Sequence, residues 1–242
     1  MEHPVHIGTS GWNYDHWKAI FYPENHPKTK WLDFYAGLFD TVEVNATFYR
    51  LPKPSTFENW RFRTPETFIW SVKASRYITH ILRLNNPADA LKRFFDGVGH
   101  LREKCGPILF QLPPSLSFDI RIADRFFQCV RNYACRSVLE VRHPTWLDEK
   151  AMALMSQHNC AFCVSDTAGR YPYSEKQTAS FMYVRLHGSR KLYESDYKEE
   201  ELQTWAEKIR SWRCETYVYF DNDAYGYAAA NAKRLKEIMY GR

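Results

Sequence analysis

The chain of 242 residues is long enough for one large α/β domain or two small ones. Hydrophobic residues make up 45% of it, which supplies an ample core and excludes an intrinsically disordered protein. The net charge of +5 permits an anionic partner, but the chain lacks the runs of Lys and Arg that are typical of a dedicated nucleic-acid-binding protein.

Short runs of β-branched and aromatic residues alternate along the chain with helical or irregular crossovers. The predicted strands are 5–10, 41–49, 69–75, 107–112, one within 136–146, 161–166, 181–187 and 216–222. Helical spacing of apolar residues predicts crossover helices at 29–39, 55–60, 87–104, 119–133, 148–158, 195–212 and 228–239. Residues 167–180 show no helical period, so we expect the sixth crossover to have a reduced helix or none.

Eight strands with mostly helical crossovers, and no linker between them, predict a single (β/α)8 TIM-like barrel over residues 1–242. The alternative is a doubly wound open sheet. That fold normally carries a glycine-rich phosphate-binding turn after its first strand, and the segment GTSG at 8–11 does not match GxGxxG. The sequence therefore favours the barrel.

Cysteine usage and the absence of targeting signals favour a cytoplasmic protein. Cys160 and Cys163 form one CxxC pair, but no second pair accompanies it, so a zinc ribbon is not expected. Cys163 lies within a predicted strand, which favours a buried thiol in a reducing compartment. The N-terminus does not resemble a secretion signal, and no run of 18 apolar residues is present, so we expect no membrane span.

A polar or charged residue lies near the C-terminal end of every predicted strand. The fifth strand shows the pattern: Val138, Glu140 and Arg142 share one face, and Leu139 and Val141 share the other. The whole set is Ser10, Glu43, Asn45, Lys73, Gln111, Glu140, Arg142, Asp166, Arg185, His187 and Asp221. A barrel would gather these residues into one ring, which is where barrel active sites lie.

Two interpretations of this ring remain open. Its three cations and four carboxylates could neutralise one another as a rigid network. Alternatively they form an active site, in which His187 beside Arg185 is suited to move protons. His80 and His143 are weaker candidates, since each follows a strand on a loop.

Several sequence blocks resemble the YecE-like family, which is known only as a domain of unknown function. They are GTSGW at 8–12, EVNATFY at 43–49, KASR at 73–76, GPILFQLPP at 106–114, EVRHPTW at 140–146, RLHG at 185–188 and YFDN at 219–222. The resemblance spans the whole chain and implies a TIM-like barrel without an established reaction. Thr145 and Asp221 stand where the family pattern leads us to expect Ser and Asn. Within the motifs, Trp12, Tyr49, His143 and Asn222 join the predicted binding residues.

We interpret the chain as an enzyme that uses acid–base chemistry on a substrate bearing phosphate or carboxylate. Lys73, Arg142 and Arg185 would bind the anion. Glu43 or Glu140 would be the general base or acid with His187 as partner. The remaining predicted site residues are Asp166 as a catalytic candidate, and Asn45, Gln111, Trp12, Tyr49, His143 and Asn222 as binding residues. Hydrolase, lyase and isomerase chemistry all stay open.

Two other functions are compatible with the same residues. One is a phosphoesterase or nuclease that depends on a divalent metal held by Glu43, Glu140, Asp166 and His187. We predict no cofactor, because no local metal-ligand motif is present, although such a rim could accept a divalent ion. The other is a non-catalytic barrel that binds nucleic acid through its basic surface and Trp-rich first loop.

Overall fold

The computed structural model describes residues 3–241 and shows eight parallel strands arranged in a nearly closed barrel. The strands are β1 (Val5–Thr9), β2 (Thr41–Val44), β3 (Ile69–Lys73), β4 (Cys105–Gln111), β5 (Ser137–Glu140), β6 (Ala161–Asp166), β7 (Phe181–Leu186) and β8 (Glu215–Phe220). They pair in the order β1-β8-β7-β6-β5-β4-β3-β2. A bridge between Ser10 and Glu43 brings the two edge strands together. The (β/α)8 barrel predicted from the sequence is confirmed.

Helices connect the strands in every crossover except one. They are α1 (Trp31–Ala36), α2 (Ala46–Tyr49), α3 (Pro54–Arg63), α4 (Ala88–Val98), α5 (Ile120–Arg131), α6 (Glu149–Gln157), α7 (Glu199–Trp212) and α8 (Tyr227–Tyr240). Residues 167–180, between β6 and β7, contain no helix, as the missing helical period predicts. Within residues 3–241, none of the helices has the length and apolar character that crossing a membrane requires.

The second strand is shorter than the prediction, because residues 46–49 form the helical turn α2 instead of continuing β2. The Thr47 hydroxyl lies within hydrogen-bond distance of the backbone oxygens of Lys73, at 2.7 Å, and Val44, at 3.1 Å. These contacts turn the chain toward the end of β3. The β-branched and aromatic residues of this segment favour a strand, but tertiary contacts outweigh that preference.

Apolar side chains fill two separate layers. The interior of the barrel is packed by Leu109, Val138, Ala161, Cys163, Phe181, Tyr183, Tyr217 and Tyr219. A larger layer lies between the strands and the surrounding helices. Because interior residues alternate along each strand, the polar residues at the strand ends continue the same interior face above the apolar packing. This arrangement positions the candidate site.

Gly8 makes closure of the barrel possible. A Cβ added at Gly8 would overlap the backbone oxygen of Thr41 on β2 and lie 3.0 Å from the Tyr35 hydroxyl. We expect Gly8→Ala to lower the free energy of unfolding by about 1–3 kcal/mol, as overpacking does. Gly99→Ala is the control, since a Cβ there meets no atom within 4 Å. Equal stability of the two variants in denaturant unfolding would contradict this prediction.

Candidate active site at the C-terminal end of the barrel

The guanidinium of Arg185 lies at the centre of the polar cluster. Its Nη2 is 2.8 Å from Glu43 Oε1 and 3.1 Å from Asp221 Oδ2, and its Nη1 is 2.8 Å from Glu140 Oε2. The residue is only 1% exposed. Burial opposes its charge, but the three carboxylates raise the pKa of Arg185 well above its ordinary value. One buried cation thus contacts carboxylates from three parts of the barrel.

Glu43 uses both carboxylate oxygens within the protein. Ser10 Oγ donates to Oε1 at 2.5 Å, and the Tyr183 hydroxyl donates to Oε2 at 2.6 Å. Arg185 Nε lies 3.2 Å from Oε1 and 3.0 Å from Oε2. Because Glu43 is fully buried and its oxygens are occupied, this residue is suited to hold Arg185 in place.

Glu140 has one fully engaged oxygen and one weakly engaged oxygen. Oε2 accepts hydrogen bonds of 2.8 Å from both Gln111 Nε2 and Arg185 Nη1. Oε1 has only longer contacts, 3.4 Å to Arg142 Nη2 and 3.5 Å to His187 Nε2. Burial alone would raise the pKa of Glu140, but Arg185 and its other neighbours hold that pKa well below its usual range. Oε1 is therefore a charged acceptor that has no short hydrogen bond within residues 3–241.

His187 and Asp221 form a pair beside Arg185. Nε2 of His187 lies 3.1 Å from Arg185 Nη1 and 3.5 Å from Glu140 Oε1. Nδ1 of the same ring lies 2.8 Å from Asp221 Oδ2 but is not aligned for a hydrogen bond. Burial opposes the charge of Asp221, whereas Arg185 and His187 lower its pKa below the usual value.

Lys73 is a buried amine without a carboxylate partner. Among residues 3–241 it forms no ion pair within 4.0 Å, and Lys73 is only 8% exposed. Nζ lies 4.5 Å from the centre of the Phe48 ring. Burial and the charge of Arg185 lower the pKa of Lys73 to about 8, although nearby carboxylates oppose this change. A lysine in this state exchanges its proton near neutral pH.

Positive charge accumulates around His80, in the π-helical turn that follows β3. The ring packs edge-on against Phe48, with the ring centres 5.1 Å apart. Burial is the main cause that lowers the pKa of His80 to about 4. The cations that add to this effect are Arg142, Lys73, Arg76 and Arg83. This side of the barrel end therefore disfavours a further cation and favours an anion.

Arg142 and Asn45 carry polar atoms without partners on the same side. The Arg142 guanidinium stacks over the Tyr171 ring at 4.6 Å, and its buried Nε has no hydrogen-bond partner in the described chain. Asn45 Oδ1 is also buried and unpaired among residues 3–241. Since buried polar atoms are nearly always hydrogen-bonded, a free donor and a free acceptor at this end are consistent with a ligand site.

Asp166 lies apart from the other predicted catalytic residues. Ala161 and Cys163 face the barrel interior, so Asp166, out of phase with them, lies on the helix-facing side of β6. Its Oδ2 accepts a hydrogen bond of 2.8 Å from the Tyr197 hydroxyl, and burial raises its pKa. Its side-chain hydrogen bonds join β6 to the loop before α7 and do not reach Arg185.

The four remaining predicted binding residues are also peripheral. Trp12 packs edge-on against two other tryptophans, and Tyr49 is 76% exposed. His143 Nδ1 accepts a hydrogen bond from a backbone N–H and caps the short helical turn that follows it. Asn222 is buried and donates at 2.8 Å to the backbone oxygen of Ser195, while its own Oδ1 is unpaired. These contacts join segments of the protein around the cluster.

The structure adds Tyr183 to the cluster and gives Ser10 and Asp221 definite partners. Tyr183 could have been found, because it precedes Arg185 by two residues and so shares its face of β7. The position of His80 depends on the π-helical turn, which no sequence pattern indicated. Across residues 3–241, no group of three His, Cys, Asp or Glu side chains is arranged to hold a metal ion.

A parallel eight-stranded barrel with a charged cluster at its C-terminal end defines a TIM-barrel protein. A family model described as a protein of unknown function, DUF72, matches residues 6–241, and the chain belongs to this family. A crystal structure of a DUF72 protein from Thermotoga maritima is similar, with a TM-score of 0.88 and 31% identity over 98% of this chain and 99% of that one.

Two curated relatives extend the comparison and confirm the YecE-like resemblance. YunF of Bacillus subtilis is 27% identical over 97% of this chain and 94% of its own length. YecE of Escherichia coli is 24% identical over 89% of this chain and 84% of its own length. Both are described as UPF0759 proteins.

Proposed function

We propose that the chain is an enzyme that performs acid–base chemistry on a small substrate carrying phosphate or carboxylate at the C-terminal end of the barrel. The observation that carries this proposal is the uneven distribution of charge there. Unpaired cationic atoms gather near β3 and β5, whereas the His187–Asp221 pair lies at β7 and β8. Since β3 and β7 are four strands apart in the barrel, these two groups face each other.

The anionic group of the substrate would bind to Arg142 and Lys73. Arg142 offers an unpaired Nε, and Lys73 has no ion-pair partner within 4.0 Å among the described residues. The sequence predicted that Arg185 would also bind the anion, but three carboxylates already surround its guanidinium. Its proposed role is therefore to keep Glu43 and Glu140 ionised and in position.

Proton transfer would fall to Glu140 and to the His187–Asp221 pair. Glu140 stays ionised because its neighbours hold its pKa well below the usual range, and its weakly engaged Oε1 is the proposed proton acceptor. His187 Nδ1 lies 2.8 Å from Asp221 Oδ2, so this pair is suited to pass a proton to or from the substrate. Gln111 orients Glu140 through Oε2. Hydrolysis, elimination and isomerisation all use such groups.

The anion site is tested by Arg142→Ala. We expect this variant to lose about 1 kcal/mol or less of stability, because Glu140 keeps Arg185 and Gln111 as partners. Inorganic phosphate should raise the melting temperature of the wild type, since a ligand that binds the folded state stabilises it. The same phosphate should have no effect on Arg142→Ala.

Arg131→Ala is the matched control, because it removes an exposed arginine of α5 and should retain the phosphate response. A collapse in the stability of Arg142→Ala together with an undiminished phosphate response would assign Arg142 to the scaffold. Thermal unfolding of the three proteins, with and without phosphate, separates these results.

The two other functions have less support. Base stacking by the first loop required exposed tryptophans, but Trp17 is fully buried and its indole N–H donates to Asp223 Oδ1 at 2.7 Å. The acids proposed as metal ligands, Glu43 and Glu140, contact the Arg185 guanidinium. Metal dependence stays a prediction that elemental analysis of the purified protein would test.

A further inference from the structure

We propose that Lys73 forms an imine with an aldehyde or ketone group of the substrate. This inference rests on the proposed function and narrows it, since the substrate would be a small carbonyl compound that also carries a carboxylate or phosphate. Reactions that proceed through an imine would then be favoured among the open classes.

The environment of Lys73 differs from that of the other lysine buried to a similar extent, Lys104. The two residues are 8% and 6% exposed, respectively. Lys104 Nζ donates hydrogen bonds of 2.6 Å to the backbone oxygens of Arg61 and Thr64, so its nitrogen is already engaged within the protein. Lys73 has no such acceptor in the described chain and meets the face of Phe48 instead. Its nitrogen is therefore free to react.

Lys73 can also reach the neutral form that nucleophilic attack requires. Its pKa is lowered to about 8, chiefly by burial and then by Arg185. The charged or titratable groups around it are Arg185, Glu140, Glu43 and Asp221 from the other strands and His80 from the turn after β3. An amine desolvated in this way beside another cation is the usual form of an imine-forming lysine.

The step balances without any oxidant or reductant. The lone pair of the neutral amine forms a bond to the carbonyl carbon, and the π electrons of the C=O bond move to oxygen, which takes a proton. Nitrogen then loses a proton, which gives a neutral carbinolamine. The hydroxyl takes a second proton and leaves as water, while the nitrogen lone pair forms the C–N double bond of a protonated imine. Asp221 and His187 lie on the facing side of the barrel end and are suited to supply and accept these protons.

If an imine forms, Glu140 would accept a proton from the carbon next to it. A protonated imine withdraws electrons from the adjacent carbon and makes its hydrogens acidic. Glu140 Oε1 is the charged and weakly engaged acceptor that would take such a proton. Arg142 would hold the carboxylate or phosphate of the same substrate through its Nε, which has no partner among residues 3–241. Lys73, Glu140 and Arg142 then act on different atoms of one small molecule.

The test is reductive trapping with glyoxylate and, separately, dihydroxyacetone phosphate. Sodium borohydride reduces an imine to a stable secondary amine, which intact-mass analysis and peptide mapping can locate. We expect one adduct per chain at Lys73, formed faster as the pH rises through 8 and suppressed by inorganic phosphate. The adduct should be lost in Lys73→Arg and retained in Lys104→Arg.

Labelling of Lys73 at the same rate as surface lysines, or no adduct at Lys73 with either probe, would overturn the proposal. If phosphate still raised the melting temperature in that case, the imine alone would be wrong and the anion site would stand. If phosphate had no effect on the wild type either, the proposed function would fail with it. Peptide mapping of the wild type keeps the test decisive even if Lys73→Arg does not fold.

Discussion

Arg185→Gln is expected to lower the free energy of unfolding by about 3–5 kcal/mol at neutral pH, the usual cost of removing one partner from a buried ion pair. Glu43, Glu140 and Asp221 all contact this guanidinium at 2.8–3.1 Å. Without it, mutually repelling carboxylates would share a space that excludes water. Arg136→Gln is the control, because Arg136 is half-exposed and pairs with the single carboxylate of Glu215. We expect a loss of about 1 kcal/mol or less there.

The pH dependence of the Arg185→Gln effect follows from the carboxylates. In the wild type the pKa values of Glu140 and Asp221 are lowered in the folded state, so their stabilisation is present above the unfolded pKa, near 4, and disappears as the pH falls. The variant lacks this stabilisation. The difference in stability between the two proteins should therefore be largest at neutral pH and shrink below pH 4. Urea unfolding measures this difference. An equal loss of stability at neutral pH and below pH 4 would contradict this account.

Lys73→Met is expected to have the opposite effect and raise stability at pH 7 by about 3–4 kcal/mol. The pKa of Lys73 falls from 10.5 to about 8 on folding, and each pH unit corresponds to about 1.4 kcal/mol. Methionine fills a similar volume against Phe48 and carries no charge to desolvate. Residues that serve function often reduce stability in this way.

The size of this effect also changes with pH in a predictable manner. Below pH 8 Lys73 is protonated in both states, and the folded state bears the full cost of burying the charge. Between pH 8 and 10.5 the folded state loses its proton first, and above 10.5 the cost disappears. The advantage of Lys73→Met should decline across that range. Lys104→Met should instead be destabilising, since it removes the Nζ donor from the backbone oxygens of Arg61 and Thr64.

The alternation of side chains made much of the cluster predictable. Glu43, Lys73, Gln111, Glu140, Arg185 and His187 fall on interior positions at strand ends, and a parallel barrel gathers those positions. The same reasoning does not hold for Asp166. This residue lies at the end of β6, but it alternates with the interior residues Ala161 and Cys163 and therefore lies on the helix-facing side. Counting the phase from Cys163 would have shown this from the sequence.

Length, strand periodicity and the spacing of motifs by themselves determined the (β/α)8 barrel, the missing sixth helix and the end at which polar residues collect. These properties depend on local patterns repeated along the chain. Only the tertiary structure decided that Arg185 is enclosed by three acids while Lys73 has no ion pair with any residue in 3–241. Both residues are cations at interior positions near the C-terminal ends of their strands. They differ in their distances to carboxylates that other parts of the chain contribute. These distances are set when the barrel closes, so they cannot be read from any single segment of the sequence.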